Sequence, residues 1–273
     1  MRQQFVPNDS SWVREHYATQ DQLKVRILTH EIYSQPKIEF AGWVLDQATW
    51  QGTETVVDIG CGAGVYLHQA RQRCRRYIGG DLSLGMLQSL PVGNYKLLNL
   101  DAMLLPFARD AVDVILANHM LYHVPNIRTA VSQFQRVLKP GGRLIAATNS
   151  SFNLLELKEL MQTTAAHFGI AQQLASTSAD FVWPFTLENG RDFLSNAFSV
   201  VERYDLTSAL VFPTAEPLLA YIDSIRDLYL SFLPQPVTWS IFLEAVQRRL
   251  EDLLRENGEI RVRKHAGVFV CKN

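Results

Sequence analysis

The sequence predicts an α/β fold built on a doubly wound, mostly parallel sheet. A short apolar run at residues 55–59 leads into three closely spaced glycines, as expected of a buried strand that turns sharply into a helix. Further strand-like runs alternate with helical patterns as far as residue 148. This alternation favours a sheet whose ligands bind at the carboxyl ends of its strands.

Seven strands are expected in this sheet. They lie at residues 55–59, 76–81, 111–117, 143–148, 199–204 and 266–271, with one more that ends near Asp101. The helix before the strand at residues 143–148 has one apolar face, formed by Ile127, Val131, Phe134, Val137 and Leu138. Asn126 is a suitable cap for its first turn, and Pro140 with the two glycines after it is expected to end it.

The glycine loop after the first strand indicates a cofactor site. Gly60, Gly62 and Gly64 have no Cβ, so the backbone can turn sharply and approach a ligand, and the following helix offers unpaired N–H groups. Val65 occupies the position where a dinucleotide fingerprint requires glycine or alanine. A glycine-rich turn without a cofactor remains the alternative.

Two acidic residues follow at the ends of later strands. Asp81 ends the second strand, roughly twenty residues beyond the glycine loop, where a nucleotide ribose would lie. Its carboxylate could accept hydrogen bonds from both ribose hydroxyls; alternatively, it caps the helix that follows. Asp101 stands at the end of the third strand.

Taken together, these motifs resemble those of the small-molecule (type 11) class I S-adenosylmethionine-dependent methyltransferases. Residues 58–64 match the motif D-x-G-x-G-x-G, and Asp81, Asp101-Ala102 and residues 138–142 match the later motifs in order. The resemblance covers about residues 50–150. It implies the Rossmann-like methyltransferase fold with an antiparallel closing strand, and S-adenosyl-L-methionine as the cofactor, released as S-adenosyl-L-homocysteine.

The same resemblance implies roles for individual residues. The glycine motif would hold the methionine end of the cofactor, Asp101 would face the adenine amino group, and Ala102 would contribute a backbone N–H to the ring. The expected cofactor-binding residues are Asp58, Gly60, Cys61, Gly62, Gly64, Asp81, Leu82, Asp101, Ala102, Asn118 and Tyr17.

His119 is the candidate catalytic residue. It follows the fourth strand, beside the expected position of the methyl group, and imidazole titrates near neutral pH. It is therefore a possible base or substrate-orienting donor, and a histidine satisfied within its loop is the alternative. His123 lies four residues further on, but no third ligand is evident, so no metal site is expected.

Helical segments are expected on both sides of the core, all within one domain. The segments are an N-terminal lid at residues 1–50, a cofactor-binding core at 51–150, and the remainder of the core at 151–273 with a helical insert at about 207–262. His16, Tyr17 and Arg26 are candidates for the inner surface of the lid. The aromatic-rich insert suggests a cap over a partly apolar small molecule, although a dimer interface or an extension of the core would explain it as well.

Composition excludes several classes of partner. Lys and Arg number 26 against 27 Asp and Glu, so the chain lacks the basic field that binds nucleic acid. Three widely spaced cysteines fit neither a disulfide framework nor a zinc site and indicate a reducing cytosol. No signal peptide and no apolar run of the roughly 18 residues that a membrane span needs are evident, so a cytoplasmic protein without membrane contact is expected.

The sequence therefore predicts a methyltransferase that modifies an O, N or C atom of a small molecule, and it leaves a homodimer open. An RNA methyltransferase is disfavoured by the charge balance and by the missing Asn/Asp-Pro-Pro-Tyr/Phe tetrapeptide after the fourth strand. A NAD-dependent oxidoreductase is disfavoured by Val65. A non-catalytic protein that binds S-adenosylmethionine or serves in assembly stays open, because a cofactor site proves binding and not turnover.

Overall fold

The computed structural model describes residues 9, 10, 13, 17, 19–170, 184–230, 233 and 236–273. Within these ranges the centre of the molecule is one sheet of eight strands. The strands are β1 (Ser34–Gln35), β2 (Thr55–Ile59), β3 (Arg76–Asp81), β4 (Lys96–Asn99), β5 (Val112–Leu116), β6 (Leu138–Asn149), β7 (Val200–Phe212) and β8 (Ile260–Lys272). Their order across the sheet is β1-β7-β8-β6-β5-β2-β3-β4.

Helices connect and cover these strands. They are α1 (Asp21–Tyr33), α2 (Phe40–Asp46), α3 (Leu67–Arg73), α4 (Leu84–Gln88), α5 (Ile127–Val137), α6 (Leu155–His167), α7 (Gly190–Leu194), α8 (Glu216–Asp223) and α9 (Trp239–Asn257). Two short 3₁₀ turns are also present, at Leu121–His123 and Arg226–Leu228.

The predicted α/β class with a mostly parallel, doubly wound sheet is confirmed. Strands β2 to β6 pair in parallel, and β8 lies antiparallel between β6 and β7, as expected for the closing strand. The count of seven strands is wrong by one. The additional strand, β1, pairs its two residues with Leu210 and Ala209 at the edge of β7, and so short a pairing leaves no alternating pattern in the sequence.

The last two strands are longer than predicted. Strands β7 and β8 pair without interruption from Val200 with Lys272 to Phe212 with Ile260, so the connection between them is residues 213–259 and not 207–262. The added residues carry charges such as Arg261 and Arg263, which are exposed, while Val262 between them is buried. One face of each strand is solvated here, so this segment lacks the continuous apolar run that is typical of a buried strand.

Apolar side chains cover the sheet on both faces, as a parallel sheet requires. Helix α5 packs Val131, Phe134 and Val137 on one face, and its first turn is capped by Asn126, whose side chain accepts from the Thr129 N–H. Val44 of α2 lies in the core on the opposite face. A separate apolar cluster joins α6, α8 and α9 to the ends of β7 and β8. The carboxyl ends of β2, β3 and β5 remain available for a site between these layers.

Candidate active site

A cavity of about 960 Å³ lies at the carboxyl edge of the sheet. Its walls come from the glycine loop, the loops after β3, β4 and β5, helix α1 and the inner face of β8. Every residue that the sequence analysis assigned to the cofactor or to catalysis lines this cavity, with the exception of Gly64. His16 lies outside the described residues, whereas Arg26 is in the cavity wall.

All three glycines of the loop have left-handed backbone conformations, and at two of them a Cβ would lie too close to a neighbouring side chain. Gly60 has φ of +70°, and a Cβ there would lie 2.7 Å from the Cβ of Met120. Gly62 has φ of +50°, but a Cβ on it would meet no atom closer than 3.9 Å, which is ordinary van der Waals distance. Gly64 lies behind the loop, where a Cβ would approach Leu90 to 2.7 Å. Gly64 therefore shapes the turn without facing the cavity.

Asp81 ties the glycine loop to the end of β3. Its Oδ2 accepts from the Gly62 N–H at 2.8 Å and its Oδ1 from the Ser83 N–H at 2.8 Å. The cap of α4 is Ser83, whose hydroxyl accepts from the Met86 N–H, so the alternative of Asp81 as a helix cap is excluded. Burial raises the pKa of Asp81, and its backbone hydrogen bonds oppose that rise. A carboxylate has about four acceptor positions, so two remain for a ligand.

Asp58 is a buried carboxyl group at the end of β2. The hydroxyl of Tyr77 donates to its Oδ2 at 2.6 Å. Burial raises the pKa of Asp58 to about 7, the Tyr77 hydrogen bond lowers it, and the charge of Asp81 raises it further. A cation bound in the cavity nearby would favour the ionised carboxylate. Asp58 is therefore suited to receive the positive end of a ligand.

The loop after β4 presents Asp101 and Ala102 to the same cavity. Asp101 accepts from the Met103 N–H at 2.8 Å and forms an isolated bridge with Leu104, which fixes a tight turn. Ala102 is buried within that turn. The carbonyl of Leu82, on the neighbouring loop, accepts from the Asn99 side chain at 2.9 Å. These hydrogen bonds fix the backbone conformation of the loops after β3 and β4, where they face the cavity.

Asn118 and His119 follow β5 at the middle of the cavity wall. The Oδ1 of Asn118 accepts from the Ala147 N–H at 2.9 Å, which joins the ends of β5 and β6. Its Nδ2 is buried and has no partner among the described residues. His119 has φ of +53°, and its N–H donates to the Ala147 carbonyl at 2.8 Å. Both hydrogen bonds go to Ala147, so the backbone at Asn118 and His119 is fixed to β6.

The pKa of His119 does not lie near neutral pH, although its residue type suggests that it would. Burial, followed by the positive charge of Lys264, lowers its pKa to about 4. The ring also lies beside Phe40, with centroids 5.5 Å apart. At neutral pH His119 is accordingly a neutral imidazole, which can accept a hydrogen bond or a proton but is a weak base.

Tyr17, which precedes α1, contacts two of the loops that line the cavity. Its hydroxyl lies 3.1 Å from Nε2 of His123, and its carbonyl accepts from the Ser83 hydroxyl at 2.8 Å. The guanidinium of Arg26 sits 6.0 Å from the centre of the Tyr17 ring. Tyr17 therefore connects α1 with the loops after both β3 and β5.

Sequence reasoning missed Lys264, which the structure places in the cavity wall. Lys264 ends the basic run at residues 261–264 and stands before the predicted start of its strand at residue 266. The alternation along β8 contains the missing signal, since the side chains of Val262 and Ala266 are buried while Arg261 and Arg263 are exposed. Lys264 shares the inward face with Val262 and Ala266.

No group of three His, Cys, Asp or Glu side chains in the described ranges could hold a metal ion. Among the helices that the structure describes, none combines the length and the apolar character needed to cross a membrane.

Comparison with known families agrees with the motifs. Residues 57–146 match the model of a family described as a methyltransferase domain. This stretch runs from β2 into β6 and so includes the glycine loop, Asp81, Asp101 and His119.

Curated relatives are similar over part of the chain. A demethylmenaquinone methyltransferase from Corynebacterium urealyticum is 26% identical over 171 residues, which is 58% of this chain and 73% of the relative. A demethylmenaquinone methyltransferase from Oceanobacillus iheyensis is 29% identical over 119 residues, which is 40% of this chain and 50% of the relative. The chain thus spans about half the length of the second relative.

A solved structure shares the fold over nearly the whole chain. Phosphoethanolamine N-methyltransferase 2 from Haemonchus contortus, in complex with S-adenosyl-L-methionine, superposes with a TM-score of 0.59 at 15% identity. The match covers 98% of this chain and 60% of that one. At this identity the likeness concerns the fold alone.

Proposed function

We propose that the chain is a class I S-adenosylmethionine-dependent methyltransferase and that it transfers the methyl group to an O, N or C atom of a small molecule. One observation carries this proposal. The residues of the cofactor motifs meet around a cavity that continues beyond them to the lid and β8. Its volume, about 960 Å³, is at the upper end of the roughly 300–1,000 Å³ typical of ligand pockets, so it suits a cofactor and an acceptor together.

The residues present fit S-adenosylmethionine as the cofactor. Gly62 lines the cavity without a side chain, which suits the close approach of a ligand, and the two remaining acceptor positions of Asp81 suit the paired ribose hydroxyls. Asp58 would receive the ammonium group of the methionine end, whose positive charge would favour the ionised carboxylate. Asp101 and Ala102 would face the adenine ring. When bound, the cofactor supplies an electrophilic methyl group on its sulfonium.

Little covalent help from the protein is needed for such a transfer. The chain contributes alignment of the acceptor and exclusion of water. Tyr17 and α1 close one side of the cavity, and α1 packs against α8 of the insert. We therefore propose that the lid and the insert enclose the acceptor. His119, neutral and next to the end of β5, would orient the acceptor or accept its proton.

Support for a small acceptor comes from two sides. The relatives are named demethylmenaquinone methyltransferases, after a small-molecule substrate. The balanced charge, 26 basic against 27 acidic residues, does not favour RNA as the acceptor.

The direct test of a small-molecule acceptor is transfer of tritium from methyl-labelled S-adenosylmethionine into fractions of a cell extract. Label in the small-molecule fraction is expected; label in RNA, or in neither fraction, would contradict the proposal.

Replacement of His119 tests its role in turnover. His119→Ala should lower kcat by about 100-fold, at the lower end of what a positioned proton-transfer group contributes. Binding of S-adenosylhomocysteine should stay unchanged, because the side chain is assigned to the acceptor. The exposed His68 on α3 provides a control, since His68→Ala should leave both quantities unaltered. Full activity of His119→Ala would show that His119 has a structural role and no role in turnover.

The pH dependence of kcat gives a second test of His119. The neutral imidazole is the active form, and the pKa is lowered to about 4, so protonation of His119 should reduce kcat only as the pH falls towards 4. A loss of activity centred near pH 6.5 that is present in the native enzyme and absent from His119→Gln would show an unshifted histidine and contradict this account.

A further inference from the structure

We propose, on the basis of the function proposed above, that the acceptor is an aromatic acid whose oxyanion is held by Lys264. The site is the part of the cavity formed by His30, Ser34, His119, Tyr221 and Lys264, here named the acceptor chamber. Its residues come from α1, β1, the loop after β5, α8 and β8.

Contacts among these residues place them together. The ammonium of Lys264 donates to the hydroxyl of Ser34 at 2.7 Å, and that hydroxyl donates to the carbonyl of His30. The rings of His30 and Tyr221 meet edge to face, with centroids 5.7 Å apart. The charge of Lys264 lowers the pKa of both His30 and His119. Lys264 is therefore close to the candidate catalytic residue.

The ammonium of Lys264 has one neutral partner and is partly withdrawn from water. Ser34 takes one of its three N–H donors, and no carboxylate among the described residues lies within ion-pair distance of it. Burial lowers the pKa of Lys264 to about 8, and no opposite charge counteracts this shift. At pH 7 the group is mostly charged, and an anionic ligand group would offset the cost of its desolvation.

The surrounding groups leave the acceptor chamber positive. The two histidines are neutral at pH 7, because burial lowers the pKa of His30 to about 3 and that of His119 to about 4. Arg26 adds a second positive charge to the cavity wall, and its field also acts on Tyr221. This charge distribution favours an anion over a neutral or cationic acceptor.

The carboxyl groups that face the cavity are engaged or peripheral. Glu39 caps α2 by accepting from the Ala41 and Gly42 N–H groups. Asp58, Asp81 and Asp101 are hydrogen-bonded at the cofactor end, as described above. Glu31 is exposed on the outer part of α1. These carboxylates leave the charge of Lys264 available to a ligand.

The aromatic walls of the cavity favour an acceptor whose anionic group is attached to a flat, apolar ring. Tyr17, Tyr122 and Tyr221 line it together with Phe40, whose ring lies beside His119. Aromatic rings offer large rigid faces that pack on other rings with favourable geometry. The combination of ring faces with one partly buried ammonium matches an aromatic carboxylate or phenolate.

The test compares an acid with its neutral analogue on the protein loaded with S-adenosylhomocysteine. Calorimetric titration with 2-naphthoate and with 2-naphthamide should show at least about tenfold tighter binding of the acid, as expected for one charge-assisted contact. Lys264→Met should abolish this preference while the affinity for S-adenosylhomocysteine stays unchanged. Lys264→Arg should restore the preference, and Lys272→Met, at an exposed lysine of the same strand, should keep it.

The outcomes separate this inference from the proposed function. If the native protein binds S-adenosylhomocysteine but binds acid and amide equally, or neither, the aromatic-acid acceptor is wrong and the methyltransferase proposal stands. Retention of the preference in folded Lys264→Met, checked by thermal unfolding, would remove Lys264 from the site. Failure of the native protein to bind S-adenosylhomocysteine would overturn the proposed function, and with it this inference.

Discussion

Asp81→Ala should weaken the binding of S-adenosylhomocysteine by about 10- to 150-fold, equivalent to the loss of about 1.5–3 kcal/mol in charge-assisted hydrogen bonds. The carboxylate is expected to hold the ribose with the acceptor positions that Gly62 and Ser83 leave open. The same substitution releases the Gly62 N–H, so the glycine loop loses its link to β3. Both effects act on the cofactor end of the cavity.

Two further variants make this result specific. Asp81→Asn preserves the shape of the side chain but turns one acceptor into a donor, which must face either the Gly62 or the Ser83 N–H, so its affinity should fall as well. Asp252→Ala, at an exposed position on α9, should have no effect. Calorimetry on all three proteins is the measurement, and unchanged affinity in Asp81→Ala would remove Asp81 from the cofactor site.

Gly60→Ala should abolish measurable binding of S-adenosylhomocysteine and destabilise the protein by about 2–5 kcal/mol. About 1–2 kcal/mol of this comes from placing alanine in the left-handed region, and about 1–3 kcal/mol from overpacking. The overpacking arises because the new Cβ would lie 2.7 Å from the Cβ of Met120, directly after His119. Relief of that contact must move the loop that carries His119 or the glycine loop itself.

Gly141 is the matched control for this substitution. Its φ of +76° is close to the +70° of Gly60, but a Cβ on Gly141 would meet no atom within 4 Å. Gly141→Ala should therefore lose only about 1–2 kcal/mol of unfolding free energy and bind S-adenosylhomocysteine normally. Equal losses in the two variants, measured by denaturant unfolding, would show that the contact with Met120 contributes nothing.

Local patterns were sufficient to predict which residues line one end of the cavity. The glycine loop follows β2, Asp81 ends β3 and Asp101 follows β4, and parallel strands bring their carboxyl ends to one edge. The positions that form the cavity wall could therefore be named before their contacts were known. Gly64 is the exception, because its place behind the loop depends on Leu90, which belongs to another element.

Features that depend on distant partners were not predictable in the same way. The pairing of β1 with β7 and the full length of the hairpin between β7 and β8 arise from contacts across the sheet edge. The lowered pKa of His119 depends on burial and on Lys264, which lies 145 positions further along the sequence. Residue type alone sets the ordinary pKa of histidine, and only the folded environment changes it.

Titration of the purified protein with S-adenosylhomocysteine, with NAD as the comparison ligand, tests the central claim most directly. The arrangement of Gly62, Asp58 and Asp81 predicts binding of S-adenosylhomocysteine with a dissociation constant on the order of micromolar, and no binding of NAD. Binding of NAD alone would contradict the assignment of the cavity to a methyl-donor cofactor, and so would binding of neither ligand.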